Sequence, residues 1–143
     1  MENFNNNIES IETSPEEEVT PDKMKSILQD VIDDRFEVFD VETMASYDAI
    51  FSEGYEPYFL NIWTIKSGYG FGYIVFHNFL RRVGTGNTFV TTDFTDSGKR
   101  LFQKAVNDGL IQQVSEQFGL ERKTRWQVVG DPMDNLVKIR DSW

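Results

Sequence analysis

Tyr58–Phe79 reads YFLNIWTIKSGYGFGYIVFHNF, and the rest of the chain must pack around whatever this stretch becomes. It holds two runs rich in aromatic and β-branched residues, Tyr58–Lys66 and Phe71–Phe79. Between them stands Ser67-Gly68-Tyr69-Gly70. Apolar runs of this length, separated by a short glycine-bearing link, predict two antiparallel strands joined as a hairpin. A second turn, Val83–Asn87 (VGTGN), then leads to a third strand over Thr88–Phe94.

Working toward the C-terminus, Thr95 or Asp96 can cap a helix that carries Leu101, Phe102, Ala105 and Val106 on one face. Leu110, Ile111, Val114 and Phe118 fall on a face rotated away from it. With Asn107-Asp108-Gly109 between the two sets, a helix to about 107 and a second over 110–118 are expected, ended by Gly119. Arg125–Val129 and Leu136–Ile139 read as a closing hairpin around Gly130-Asp131-Pro132. Toward the N-terminus, Met24, Ile27, Leu28, Val31 and Ile32 recur at helical spacing and predict a helix over 22–33. Arg35–Val41 (RFEVFDV) reads as a strand and Glu42–Phe51 as a short helix or turn, with Gly54 as its stop. The expected fold is α+β: one domain over 22–143, a mainly antiparallel sheet of four to six strands, and two or three helices covering one face.

Composition narrows the chemistry. The 143 residues include 12 Phe, 5 Tyr and 3 Trp, nearly all after residue 35, so a substantial core can form there. There is no cysteine, hence no disulfide frame and no thiolate chemistry, and the single histidine, His77, reads as structural or surface-lying. No run of 18 apolar residues and no basic-then-apolar leader occurs, which predicts an intracellular, cytoplasmic protein. The net charge of -10 is lopsided: residues 1–54 hold 3 basic and 15 acidic side chains, residues 55–143 hold 11 and 9. Residues 1–21 are polar and acidic with few apolar side chains, so they should form a flexible, disordered arm on a near-neutral body. Phe4, Ile8 and Ile11 give that arm apolar anchors beside Glu16, Glu17 and Glu18, a combination suited to docking on a partner.

Three short motifs carry sharper possibilities. Phe39-Asp40-Val41-Glu42-Thr43 ends a predicted strand whose period of two sets both carboxylates on one face. The pentad resembles the first motif of the DEDD 3'-5' exonucleases, which implies Asp40 and Glu42 as metal ligands, with Asp134 in Val129–Asp134 standing for the second-motif aspartate. The Asn that precedes that aspartate in the family is missing here. Ile111–Gly130 (IQQVSEQFGLERKTRWQVVG) resembles a helix-turn-helix. That likeness implies Arg122, Lys123 and Trp126 on a recognition helix, beside Arg125, with Lys99 and Arg100 for phosphates. Arg125 departs from it by occupying a position that should be apolar. Tyr69–Phe76 (YGFGYIVF) resembles the aromatic octamer of RNA-recognition domains, with Tyr69 where a Lys or Arg is usual.

Gly68-x-Gly70-x-Gly72 and Gly84-x-Gly86 precede predicted strands and offer no phosphate-binding helix terminus, so no cofactor is expected. The favoured expectation is a non-enzymatic module, an accessory subunit or inhibitor that docks on a larger protein through its acidic arm and an aromatic sheet surface. A nucleic-acid-binding regulator is the first alternative and a partial exonuclease-like domain the second.

Overall fold

Phe71–Val83 is an α-helix in the computed structural model of the chain, which describes residues 19–35, 45–65, 68–92 and 94–143. In chain order the elements are α1 (Pro21–Ile32), β1 (Ala45–Ile50), β2 (Tyr58–Thr64), α2 (Phe71–Val83), β3 (Thr88–Thr91), α3 (Asp96–Asn107), β4 (Ile111–Gln113), β5 (Thr124–Val128) and α4 (Pro132–Asp141). The hairpin expected over 58–79 is therefore corrected to a strand followed by a helix. Ten of the 13 residues of α2 are buried, His77 and Asn78 among them, and its first six residues include no charged side chain. A helix buried nearly all round has no polar face to betray its period and reads like a buried strand. The glycines that suggested turns bracket it instead: Gly70 (φ 79°) caps its start and Gly84 (φ 93°) its end, both in left-handed conformations.

This exchange of strand for helix sets the topology. A helical crossover returns the chain parallel to the strand it left, and β2 pairs with β3 in parallel through Tyr58 and Val90. The other three pairings are antiparallel, in the order β1-β2-β3-β5-β4. The result is a single α+β domain with a five-stranded, mostly antiparallel mixed sheet and four helices, within the expected strand count but with more helices than the two or three predicted.

Other segments also correct the sequence-based expectation. Within 42–51, residues Ala45–Ile50 form a strand, with Ala45, Tyr47 and Ala49 turned to the core and Ser46, Asp48 and Ile50 away from it. The second helix expected over 110–118 is absent: Gly109 (φ 76°) reverses the chain after α3, and Ile111–Gln113 pairs with β5. Leu136–Ile139 lies in α4, not in a strand. Asp131 Oδ1 accepts from the Met133 and Asp134 amides at 2.9 and 3.4 Å while Pro132 takes the first helical position, an arrangement that starts helices. The helices expected at 22–33 and up to 107 form as α1 and α3, each with a threonine cap: Thr20 accepts from the Lys23 amide and Thr95 from the Gly98 amide. Apart from Arg35, the strand expected over 35–41 lies outside the described residues, as does residues 1–18 of the arm.

The four helices sit on one side of the sheet. Phe76 and Phe79 of α2 and Phe102 of α3 meet Phe59, Phe89 and Trp126 of the strands, with ring centroids 4.9 Å apart for Phe59–Phe79 and Phe102–Trp126 and 5.0 Å for Phe79–Phe89. The other side of α2 presents Phe71, Ile74 and Val75 to Met24, Ile27, Leu28 and Val31 of α1 and Leu136 of α4. Arg81 ties this layer down by donating to the Val31 and Ile32 carbonyls at the end of α1, at 3.1 and 3.2 Å, the former also accepting from the Asp34 amide at 3.0 Å. Among the described residues no helix is long and apolar enough to cross a membrane.

One glycine is sterically obligatory. A Cβ on Gly130 would collide with the Gly109 carbonyl oxygen, because the loop after β5 lies directly on the reversal that leads into β4. The Val129 and Gly130 amides both donate to the Leu110 carbonyl there, at 2.8 and 3.2 Å. Gly130→Ala should destabilise the protein by roughly 1–3 kcal/mol, as overpacking against unyielding neighbours does. Chemical denaturation reads this directly, and an unshifted midpoint would show that the two loops do not press together.

Candidate functional site

The four described helices lie on one side, and no described helix or strand covers the opposite face of the sheet. Alternation places Ser46, Asp48 and Ile50 of β1, Tyr58, Asn61 and Trp63 of β2, Thr88 and Val90 of β3, and Arg125 and Gln127 of β5 on it. Several are apolar and open to solvent: Ile50 is 47% exposed, Trp63 41%, and Tyr55, in the loop between β1 and β2, 79%. Ile50, Ser52, Tyr55, Tyr58, Val90 and Phe118 line a shallow cavity of about 300 Å³ near its centre.

Around that cavity the charges neutralise one another. Arg125 grips Glu56 in a fork, Nε to Oε2 at 2.7 Å and Nη2 to Oε1 at 2.8 Å, and the Thr88 hydroxyl donates to the same carboxylate at 2.6 Å. The Arg125 guanidinium holds the Glu56 carboxyl below the usual carboxylate range, and Glu56 in turn raises Arg125. Both partners are about a third exposed, so the pair contributes little to stability, roughly 0.2–1 kcal/mol. Its role is to hold Arg125 flat over the Phe118 ring, 4.6 Å from the centroid. Lys123 lies 5.2 Å from the Tyr58 ring centre and 3.8 Å from Glu121. The face is thus an apolar and aromatic patch whose cations already have anionic neighbours.

No family model, curated protein or solved structure matches this chain. What the patch can do therefore rests on its own chemistry.

The basic cluster singled out in the sequence is only partly assembled. Segment 111–130 is two antiparallel strands joined by a loop with Gly119 (φ 76°) and Arg122 (φ 56°) at its tip, so the recognition helix expected from the helix-turn-helix likeness is corrected to a β-hairpin. Trp126, expected to face a groove, is buried on Phe102 and donates from Nε1 to Thr91 Oγ1 at 3.0 Å. Arg125 is on the bare face, Arg122 donates to Gln117 at 2.6 Å, and Lys99 lines a cleft with that same Gln117. Arg100 lies on the exposed side of α3. The octamer likeness at Tyr69–Phe76 is overturned too, since Phe71, Tyr73 and Phe76 are buried on a helix and offer no stacking platform. Asp134 stands exposed in the first turn of α4, while Asp40, Glu42 and the arm residues Phe4, Ile8, Ile11, Glu16, Glu17 and Glu18 lie outside the described residues. Among the described residues no three His, Asp or Glu side chains gather as a metal ion would need.

Sequence reasoning missed Ile50, Tyr55, Glu56 and Phe118 as neighbours. The available signal was the alternation Ala45-Ser46-Tyr47-Asp48-Ala49-Ile50, whose outward set ends in an isoleucine that no amphipathic helix would require.

The histidine sits in a second polar cluster, inside the protein. His77 is wholly buried, with Nδ1 2.7 Å from the Tyr73 carbonyl and Nε2 3.0 Å from Asn135 Nδ2. A carbonyl only accepts, so Nδ1 carries the proton and Nε2 accepts from Asn135. Tyr73 packs edge-on against the imidazole at 4.7 Å and donates to Asp108 at 2.6 Å, joining α2 to the end of α3. Burial drives the His77 pKa down to about 4 and, reinforced by Asp108, pushes the Tyr73 hydroxyl up. The neutral, doubly bonded imidazole is a structural pin between helices.

Proposed function

We propose that this protein is a non-catalytic interaction module that docks onto a larger protein through the bare face of its sheet, with the acidic N-terminal segment as a second point of attachment. The observation that supports this is the solvent-facing apolar set Ile50, Tyr55 and Trp63 on the bare face, the first two lining a cavity whose charged neighbours are mutually paired. Aromatic side chains grouped in a shallow depression are the residues that dominate protein–protein affinity. A phosphate backbone would find Arg125 and Lys123 already engaged with Glu56 and Glu121, which favours a protein partner over nucleic acid.

The test is recovery of partners from nuclease-treated lysate by the full-length chain and by Ile50→Ser/Tyr55→Ser, at low and high salt. A protein held by the wild type at both salt concentrations, and bound roughly tenfold more weakly by the variant at unchanged melting temperature, is the expected result. Recovery of salt-labile nucleic acid alone would sink the proposal and turn attention to Lys99, Arg122 and Lys123.

A further inference from the structure

Beside the bare face, a different surface makes a more specific demand on its ligand. The pairing of β2 with β3 is limited to Tyr58 and Val90, and β3 ends at Thr91. Asn61, Ile62 and Trp63 continue along β1, with Leu60 bulged out of that ladder, yet among the described residues none of the four has a strand on its other side. The place a neighbour would take is a groove of about 520 Å³ between β2 and the first half of α3.

How β2 lines this groove is informative. Six consecutive residues, Phe59–Thr64, border it. Leu60 is the extra residue of a bulge opposite Asp48 and Ala49, but Asn61–Thr64 pair regularly with β1 and alternate between the two faces, so four in a row can border one space only where the strand turns its edge to that space. The groove is therefore walled on one side by main chain. On the other side stand Thr95, Ser97, Gly98, Leu101 and Phe102 of α3 and its cap, with Phe94 and Gly72 at the margins. Phe94 lies directly on Gly98, and Leu101 and Phe102 add further apolar surface to the trough. An open strand edge facing a helix across an apolar trough is the arrangement by which sheets capture an extended segment as an additional strand.

We propose that the Leu60–Trp63 edge of β2 and the Thr95–Phe102 side of α3 form a binding site for an extended peptide segment of a partner protein, taken up as a strand alongside β2 with an aliphatic or aromatic side chain in the trough. Charge balance defines the ligand further. Arg100 reaches the rim by donating to Ser97 at 3.3 Å, and Asp96 carries the opposite charge in the same turn. A balanced rim selects no strongly charged peptide, so recognition rests on main-chain hydrogen bonds and apolar burial, and binding is insensitive to salt. The proposal rests on the docking reading to the extent that both require a protein ligand; the two surfaces share Asn61 and Trp63, but neither Ile50 nor Tyr55 borders the groove, so variants there distinguish them.

The experiment is selection of short random peptides displayed on phage against the full-length chain, followed by binding measurements on synthetic winners and on copies N-methylated at alternate residues. N-methylation removes a main-chain donor without altering a side chain. Affinity should fall roughly tenfold or more for one set of alternate positions and little for the other, the period-two signature of strand pairing. Ser97→Trp, which fills the trough from an exposed helix position, should weaken binding to a similar degree without changing the melting temperature. Winners indifferent to N-methylation, or bound equally by Ser97→Trp, would overturn the site. Displacement of the winners by a peptide of residues 1–18 would overturn a partner as the occupant and assign the groove to this chain's own N-terminal segment. If Ile50→Ser/Tyr55→Ser loses its partner while no peptide is selected, the groove fails and the docking face stands; the converse result separates them the other way.

Discussion

Phe79→Ala should cost the fold about 3–5 kcal/mol, the upper end for deleting a buried aromatic. Phe79 is wholly buried, and its ring meets those of Phe59 and Phe89 at 4.9 and 5.0 Å and those of Tyr47 and Phe51 at 5.7 Å, with Phe76 at 6.0 Å. It thus touches both halves of the sheet from the one helix that lies between the sheet and α1. Phe59 and Phe76 are also held by each other and by Phe102, which limits collapse into the space, so a cavity term adds to the lost transfer energy. Domains of this kind have about 5–15 kcal/mol in all, and the variant should sit near the edge of folding at 25 °C. Denaturant titration against wild type and against Phe79→Leu, which refills most of the volume, makes the comparison. A loss below about 1 kcal/mol for the alanine variant would mean that the aromatic cluster is not packed as described.

Acid sensitivity below neutrality is the second large effect, and it traces to His77. Its folded pKa of about 4 lies below the 6.5 of an unperturbed histidine, so between these values the unfolded chain binds a proton that the folded chain refuses. Stability is therefore fully present above about pH 6.5 and falls as the pH drops through that window, by about 3 kcal/mol in total at 1.36 kcal/mol per pH unit. Asp108 and Lys104, the charged groups facing this cluster, act on the imidazole in opposite directions and leave burial as the governing cause. His77→Gln cannot take up the proton. It should be less stable than wild type at pH 7 but show a flatter dependence from pH 6.5 to 4.5, the residual slope coming from carboxylates such as Glu56, whose pKa is lowered by Arg125. Parallel pH curves for the two proteins would refute this account.

The sequence was legible where polarity alternated with a clear period. α1 and α3 each carry one apolar stripe and a threonine cap, and both form close to where spacing places them. β2 and β3 likewise form within their predicted runs, and β5 forms one residue ahead of its own. Legibility failed at Phe71–Val83 for a physical reason: a helix clasped between a sheet and two other helices has no wet face, and periodicity reports only the contrast between wet and dry. α4 was hidden differently. Asp131-Pro132 can open a turn or a helix, and the choice fell to Leu136, which completes the cluster behind α2. The candidate surface was half visible. Arg125 and Lys123 could be named from the sequence, but their neutralisation by Glu56 and Glu121 spans 69 residues in one case and two in the other, and the longer of these contacts exists only because a helical crossover brings β2 beside β3.

That crossover has a mechanical corollary. With one register pair between β2 and β3, the sheet is two leaves, β1-β2 and β3-β5-β4, on a very short hinge, and the plug of phenylalanines from α2 and α3 acts as the spring that keeps them coplanar. Splaying the leaves by a small angle breaks one bridge and leaves both ladders whole. Because Phe59 and Phe102 border the gap beside Leu60–Trp63 and also belong to the core, any widening that admits a guest strand there would draw on the packing of that plug.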